Sequence, residues 1–327
     1  MKRHALVLLV VLVGVSPHLA AQKARWTPPR TADGQPDLQG TWANDVATPL
    51  ERPKELAGKT LLTDDEVAVF KARARQLFSA EGGDAVFGDT FFDALLANPG
   101  KFTSTDGKTG DYNQFWLPER VFEKRTSMIV EPADGRIPAF TPAAQTATAA
   151  EAAARRPIPH GPEDRGLSER CLTFGVPRVM PAYMSYSEIV QSRDSVAIVM
   201  ETIHDTRIIP LDGRPHVGSP VRGLAGDSRG RWEGETLVVD SVGFNDLTWL
   251  ARGGYFHSDN MRVTERFRRE GNVLHYAVTV EDKDVLVEPW TPNPQDLRLN
   301  TNPKAFIPEG APCRDYDSQN LVTKVRH

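Results

Sequence analysis

The chain has 327 residues and a formal net charge of −4, with 25 prolines and 25 glycines. This length fits one large or two modest domains, and so many turn-forming residues argue against a helical bundle. The acidic balance argues against a nucleic-acid partner, because such a protein needs a basic surface to neutralise phosphates.

The N-terminus has the order of parts found in a secretory signal peptide. Lys2 and Arg3 precede an apolar run at residues 5–15, and small residues follow it. The run is shorter than the roughly 20 residues needed to span a bilayer. Residues 1–21 are therefore predicted to be a cleaved signal, and no stable membrane insertion is expected. Cleavage would lower the net charge from −4 to −6, because Lys2 and Arg3 are lost. We expect a periplasmic or secreted protein.

The sequence contains two cysteines, Cys171 and Cys313. Two thiols in an oxidising compartment tend to pair, so a disulfide between them is predicted. Two buried free thiols or a single reactive thiol are the alternatives. Two cysteines are too few for a cysteine-based zinc or iron–sulfur site.

Helices are predicted in the first half of the chain. Thr63 and Glu66 form a capping-box pattern before an amphipathic run. A short helix is predicted at residues 90–97, and Thr141 is placed to cap an alanine-rich helix. Residues 22–182 are interpreted as an arm and helical region packed on a main domain. The arm has three candidate anchors: Trp26, Leu38 and Trp42.

Residues 183–291 alternate short β-branched runs with tight turns such as Asp212-Gly213 and Glu233-Gly234. Seven or eight candidate strands follow one another without helical spacers. This pattern predicts a mainly β protein built on an antiparallel β-barrel, lipocalin-like in general shape, or on a sandwich. Residues 292–327 are predicted to form a C-terminal coil tail.

Groups suited to chemistry collect at the joints between the predicted strands. Histidine exchanges protons readily near neutral pH, and three histidines lie at or beside strand ends. In an up-and-down meander alternate turns lie on the same rim, so we expect these histidines to converge at one barrel mouth. The candidate catalytic residues are His204, Asp205, His216, His257 and Glu265. The candidate substrate-binding residues are Arg207, Asp227, Arg229, Trp232 and Asp240.

Glu265 shares one face of a predicted strand with Val263 and Phe267, while Thr264 and Arg266 lie on the other face. A carboxylate on an apolar face can serve as a general acid or base. An internal salt bridge to an arginine such as Arg207 is the alternative.

A metal site is an alternative use of the histidines, because Asp205, Asp227 and Asp259 lie near them in sequence. Their spacing matches no metal-binding motif, so no metal is assigned. Ser228 lacks the G-x-S-x-G surroundings of a nucleophile elbow. No Rossmann or P-loop glycine pattern is present, so no cofactor is predicted.

Four stretches resemble a single protein family: PPRTADGQPDLQGTW (28–42), IHDTRIIPLDGRPH (203–216), GDSRGRWEGETLVVDSVGFND (226–246) and HSDNMRVTERFRR (257–269). The family is a large group of secreted bacterial proteins with no established common activity. The resemblance implies export and a shared fold, and it implies no particular reaction. Members often carry Cys-His-Glu-Gly-Asn near the C-terminus. Here the segment reads Cys313-Arg314-Asp315-Tyr316-Asp317, so its histidine is missing.

These observations predict a small-molecule-binding barrel that acts as a cofactor-independent lyase, isomerase or hydrolase on an apolar or aromatic substrate. The alternatives are a non-catalytic periplasmic carrier, a His/Asp metal-dependent enzyme and a structural envelope protein. Histidines converging in a concave pocket would favour the enzyme, and an apolar cavity would favour the carrier. A filled barrel would favour the structural protein. No oligomeric state is predicted.

Overall fold

A computed structural model describes residues 26–79, 88–97, 120–154, 172–173, 175–177, 186–201, 205–218, 220–245, 247–251, 255–292, 295–302, 304 and 307. The predicted signal peptide, both cysteines and His204 lie outside the described residues. The predictions that depend on them stay predictions.

Within this part of the chain the helices are α1 (Asp64–Ser79), α2 (Gly88–Ala97) and α3 (Pro142–Ala154), with a 3-10 turn at Lys54–Leu56. The strands are β1 (Gly40–Ala43), β2 (Ile129–Glu131), β3 (Tyr186–Gln191), β4 (Ser195–Met200), β5 (Thr206–Pro210), β6 (Asp227–Glu233), β7 (Thr236–Val242), β8 (Trp249–Ala251), β9 (Tyr255–Phe256), β10 (Arg262–Glu270), β11 (Val273–Glu281), β12 (Thr291–Pro292) and β13 (Gln295–Leu299). None of the described helices is long and apolar enough to cross a membrane.

Nine of these strands form one antiparallel sheet in the order β5-β4-β3-β1-β13-β11-β10-β7-β6. The two end strands, β5 and β6, approach each other, so the sheet is nearly closed into a barrel. Two small pairs, β2 with β12 and β8 with β9, lie outside it. The predicted mainly β, antiparallel barrel is confirmed.

The sheet includes two strands from outside the predicted span of residues 183–291. Strand β1 comes from the arm and β13 from the predicted coil tail, and Trp42 is paired with Leu299 where they meet. Both lie between β3 and β11. The coil assignment was wrong for residues 295–299 because they keep a period-two pattern, in which Gln295 and Leu297 are buried while Asp296 and Arg298 are exposed.

The predicted helix starts are confirmed by their capping contacts. The Thr63 amide donates to Glu66 Oε2 at 2.8 Å, and the Glu66 amide donates to Thr63 Oγ1 at 3.2 Å. The Ala144 amide donates to Thr141 Oγ1 at 3.2 Å. Helices α1 and α2 bury a separate apolar cluster in which Phe70 packs edge-on against Phe92.

The barrel interior is filled by apolar side chains. The predicted alternation is confirmed on β10 and β11, where every second residue points inward. Two of the candidate anchors of the arm, Leu38 and Trp42, are fully buried, whereas Trp26 is 37 % exposed. Large interior side chains include those of Trp42, Ile189, Ile198, Ile209, Val239, Phe267, Tyr276 and Leu297.

One ion pair is buried among these apolar side chains. A terminal nitrogen of Arg207 lies 2.7 Å from Oε2 of Glu265, although its angles fall outside hydrogen-bond geometry. Tyr276 Oη donates to Glu265 Oε1 at 2.8 Å. The internal salt bridge considered for Glu265 is therefore present, and it joins β5 to β10 across the interior.

Removing one partner of this pair should destabilise the fold more than removing both. We expect Glu265→Leu or Arg207→Met to lower the free energy of unfolding by about 3–5 kcal/mol, because each leaves an uncompensated buried charge. The double variant should lose less than either single variant. Urea unfolding measures all three. Additive losses would show that the two groups are not coupled.

The approach of β5 to β6 depends on Gly230. A Cβ atom added there would lie 2.6 Å from Leu211 Cδ2 and 2.8 Å from Ile209 Cγ2, closer than such atoms pack. Gly230→Val should therefore lower the free energy of unfolding by about 1–3 kcal/mol through overpacking. Gly218→Ala is the matched control, because its Cβ atom would meet only Pro220 Cδ, at 3.6 Å. Equal unfolding midpoints for the two variants would contradict this account of barrel closure.

Candidate active site

The connection between β5 and β6 brings His216 onto the outer face of the sheet. After β5 the chain turns at Asp212, whose Oδ1 accepts a hydrogen bond from the Arg214 amide at 3.1 Å. Gly213 has a φ of +73°, a left-handed conformation that glycine adopts without a Cβ clash. This turn returns the chain toward β6.

The His216 ring lies between two carboxylates. Its Nδ1 is 2.9 Å from Asp227 Oδ2, and its Nε2 is 3.0 Å from Asp240 Oδ2. Asp227 begins β6 and Asp240 lies on β7. Their neighbours Ser228 and Ser241 point into the barrel and share a hydrogen bond of 2.8 Å. Strand alternation therefore places both carboxylates on the outer face.

Two arginines hold these carboxylates in place. Arg229 lies 3.0 Å from Asp227 Oδ1. Arg262 pairs with both oxygens of Asp240, through Nε at 2.8 Å and a terminal nitrogen at 2.6 Å. The backbone amide of Val217 also donates to Asp227 Oδ2, at 3.0 Å. Two cations, two anions and one imidazole thus form a connected network.

This network leaves part of the ring accessible. The His216 side chain is 25 % exposed, while the Asp227 and Asp240 side chains are only 19 % and 14 % exposed. A ligand that displaced one carboxylate would meet a ring still oriented by the other.

A second histidine, His275, also lies near two carboxylates, but its surroundings differ from those of His216. His275 on β11 lies 2.6 Å from Asp296 and 3.6 Å from Glu270. Those carboxylates are 50 % and 55 % exposed, so water competes strongly for both contacts. The carboxylates around His216 are far better shielded.

His257 is buried, unlike His216. Its Nδ1 is 2.9 Å from the Ser258 carbonyl, its Nε2 is 2.7 Å from Thr248 Oγ1, and its ring packs edge-on against Phe244. The expectation that the histidines converge at one mouth rested on a simple up-and-down meander, and the strand order of this sheet is different. The convergence itself stays a prediction.

The remaining candidate residues lie away from the outer-face network. Asp205 binds Thr173 and is not part of the His216 network. Arg207 and Glu265 lie inside the barrel, and Trp232 packs against the core from the inner face of β6. The structure thus brings together four of the predicted residues: His216, Asp227, Arg229 and Asp240.

Sequence reasoning missed Arg262. Arg262 lies two residues before Thr264 on β10, and Thr264 is paired with Asp240 on β7. The signal was available, because Arg262 shares the outer-face alternation of Thr264 and Arg266. Only the strand pairing shows that this face lies beside Asp240.

Among the described residues, no group of three or more His, Cys, Asp or Glu side chains is arranged to hold a metal ion. Comparison with protein-family models, curated proteins and solved structures found no match to this chain. The fold and the site define an antiparallel β-barrel with a histidine–aspartate–arginine network on its outer face.

Asp227→Ala should loosen the loop that carries His216. The substitution removes the acceptor for both the Val217 amide and His216 Nδ1. Because the Val217 amide loses a hydrogen bond to a charged group, its hydrogen exchange should become about 10–100-fold faster. Asp212→Ala is the control, because the hydrogen bonds of Asp212 in the described part of the chain go to its neighbour Arg214 and not to Val217. Unchanged protection of Val217 in Asp227→Ala would show that other contacts hold this loop.

Proposed function

We propose that the protein is a periplasmic or secreted, cofactor-independent enzyme that binds a small molecule at His216 and uses this histidine to transfer a proton. The observation that supports the proposal is the partly exposed imidazole held between two shielded carboxylates. A positioned histidine is the side chain most often used as a general acid or base. The reaction classes that fit are those of a lyase, an isomerase or a hydrolase.

The neighbouring residues suggest distinct roles. Asp227, fixed by Arg229 and the Val217 amide, orients the ring through Nδ1. Asp240 lies at the opposite nitrogen, where a substrate atom would exchange a proton. Arg262 holds Asp240 and has an exposed side chain, so it is placed to receive a substrate carbonyl or carboxylate.

Exposed apolar side chains near the site support a substrate with an apolar or aromatic part. Val217 follows His216 directly, and Val221 lies further along the same connection. The Gly223–Phe244 bridge brings this connection beside the segment that carries Leu247, which is also exposed. Burying such surface against a ligand is favourable.

A structural protein without a ligand is the second candidate, and the filled barrel interior favours it. In that case the His216 network serves only to fix the connection between β5 and β6. The two functions predict different effects of the same substitution.

The test uses proton transfer itself as the signal. Purified protein is incubated with a small-molecule extract in deuterium oxide and analysed by mass spectrometry. We expect a compound to be converted or to gain deuterium with the native protein. His216→Asn should slow this about 10²–10⁴-fold, because a general acid–base group is removed. The melting temperature should change little, since the ring is partly exposed.

His275→Asn is the matched control. It removes a histidine that also lies between two carboxylates, but on a more exposed part of the surface. Activity that is lost equally in both variants, or that survives in His216→Asn, would contradict the proposal. A His216→Asn variant that melts much lower, with no conversion by the native protein, would favour the structural role.

A further inference from the structure

Among the described residues, a buried arginine that is not part of the His216 network has no hydrogen-bonding partner. Arg120 is 6 % exposed, and its Nε and both terminal nitrogens are buried with no hydrogen-bond partner in the part of the chain that the structure describes. Burial lowers the pKa of Arg120 to about 10, so the guanidinium remains a cation at neutral pH. A buried cation requires a compensating anion.

Asp45, the acidic group that acts on Arg120 among the described residues, is already engaged. The negative charge of Asp45 favours the charged form of Arg120. However, the Asp45 carboxylate pairs with Arg298, whose Nε lies 3.1 Å from Oδ2. Arg120 instead contacts the face of Phe91, with Cζ 5.8 Å from the ring centroid. Such a cation–π contact offsets only part of the lost hydration.

The backbone holds Arg120 between the barrel and the helical cluster. The Val121 amide donates to the Asp45 carbonyl at 2.8 Å, and the Ala47 amide donates to the Val121 carbonyl at 2.7 Å. These bonds fix the segment beside the chain that leaves β1. Phe91 of α2 lies 6.2 Å from Phe122, so aromatic rings flank the position. The guanidinium is thus fixed among apolar groups.

We propose that Arg120 anchors a binding site for a small organic monocarboxylate, separate from the His216 site. The planar guanidinium pairs with a carboxylate through two parallel hydrogen bonds, which would satisfy its unused donors. Phe122, which is only partly buried and lies beside the buried Phe91, provides apolar surface for the organic part of the ligand. A dianion such as phosphate is disfavoured, because it is harder to remove from water than a monoanion and one guanidinium leaves part of its charge uncompensated.

Isothermal titration of the purified protein at constant ionic strength tests this site with benzoate, acetate and inorganic phosphate. We expect saturable binding of one benzoate, weaker binding of acetate and no binding of phosphate. Arg120→Met should weaken benzoate binding about 10–100-fold, because charge-assisted hydrogen bonds are lost. Arg120→Lys keeps the charge without the planar fork and should give an intermediate loss. It also tests the site if the methionine variant fails to fold.

Arg231→Met is the matched control, since Arg231 is exposed and paired with Glu233. It should leave benzoate binding unchanged. Absence of saturable benzoate binding would overturn the proposal, as would binding of phosphate alone. Benzoate affinity equal in the native protein and in the folded Arg120 variants would place the carboxylate elsewhere and would equally overturn it.

Discussion

The seam between β5 and β6 is the constraint on which the rest of the structure depends. Gly230 lacks a side chain where Ile209 and Leu211 approach, so the two end strands of the sheet can meet. Arg207 of β5 then reaches Glu265 of β10 inside the barrel. The chain that leaves β5 must return across the outer face to begin β6, and His216 lies on that return. The approach of β5 to β6 thus accounts for the closure of the barrel, for the buried ion pair and for the position of the His216 network.

Strand alternation divides the chemistry of this region into two faces. Ser228 of β6 and Ser241 of β7 share a hydrogen bond inside the barrel. Asp227 and Asp240, their neighbours on the same strands, project outward. A polar group inside the barrel must find its partner within the protein, because water does not reach it. The outward carboxylates keep partial contact with solvent, which leaves room for a ligand at the histidine between them.

Local patterns in the sequence determined what could be predicted. The capping box at Thr63 and the inward alternation of β10 depend on residues close together in the chain, and both are confirmed. The insertion of β1 and β13 between β3 and β11 depends on pairing across more than 250 residues, as in Trp42 with Leu299. No local pattern encodes that order. The rim on which each histidine lies follows from this strand order, so the spacing of the histidines in the sequence does not determine which of them share a rim.

The two proposed sites differ in what a ligand must displace. Around His216 every carboxylate already has a cation, so a ligand gains only the difference between its own contacts and those it replaces. Such a site stabilises charge that develops on the substrate during the reaction more than it stabilises the substrate in its ground state. Among the described residues, the nitrogens of Arg120 have no hydrogen-bond partner that a ligand would have to displace. A resting carboxylate there would gain the full value of its hydrogen bonds, apart from the loss of its own hydration. The outer network is therefore suited to turnover, and the buried arginine to retention of a ligand.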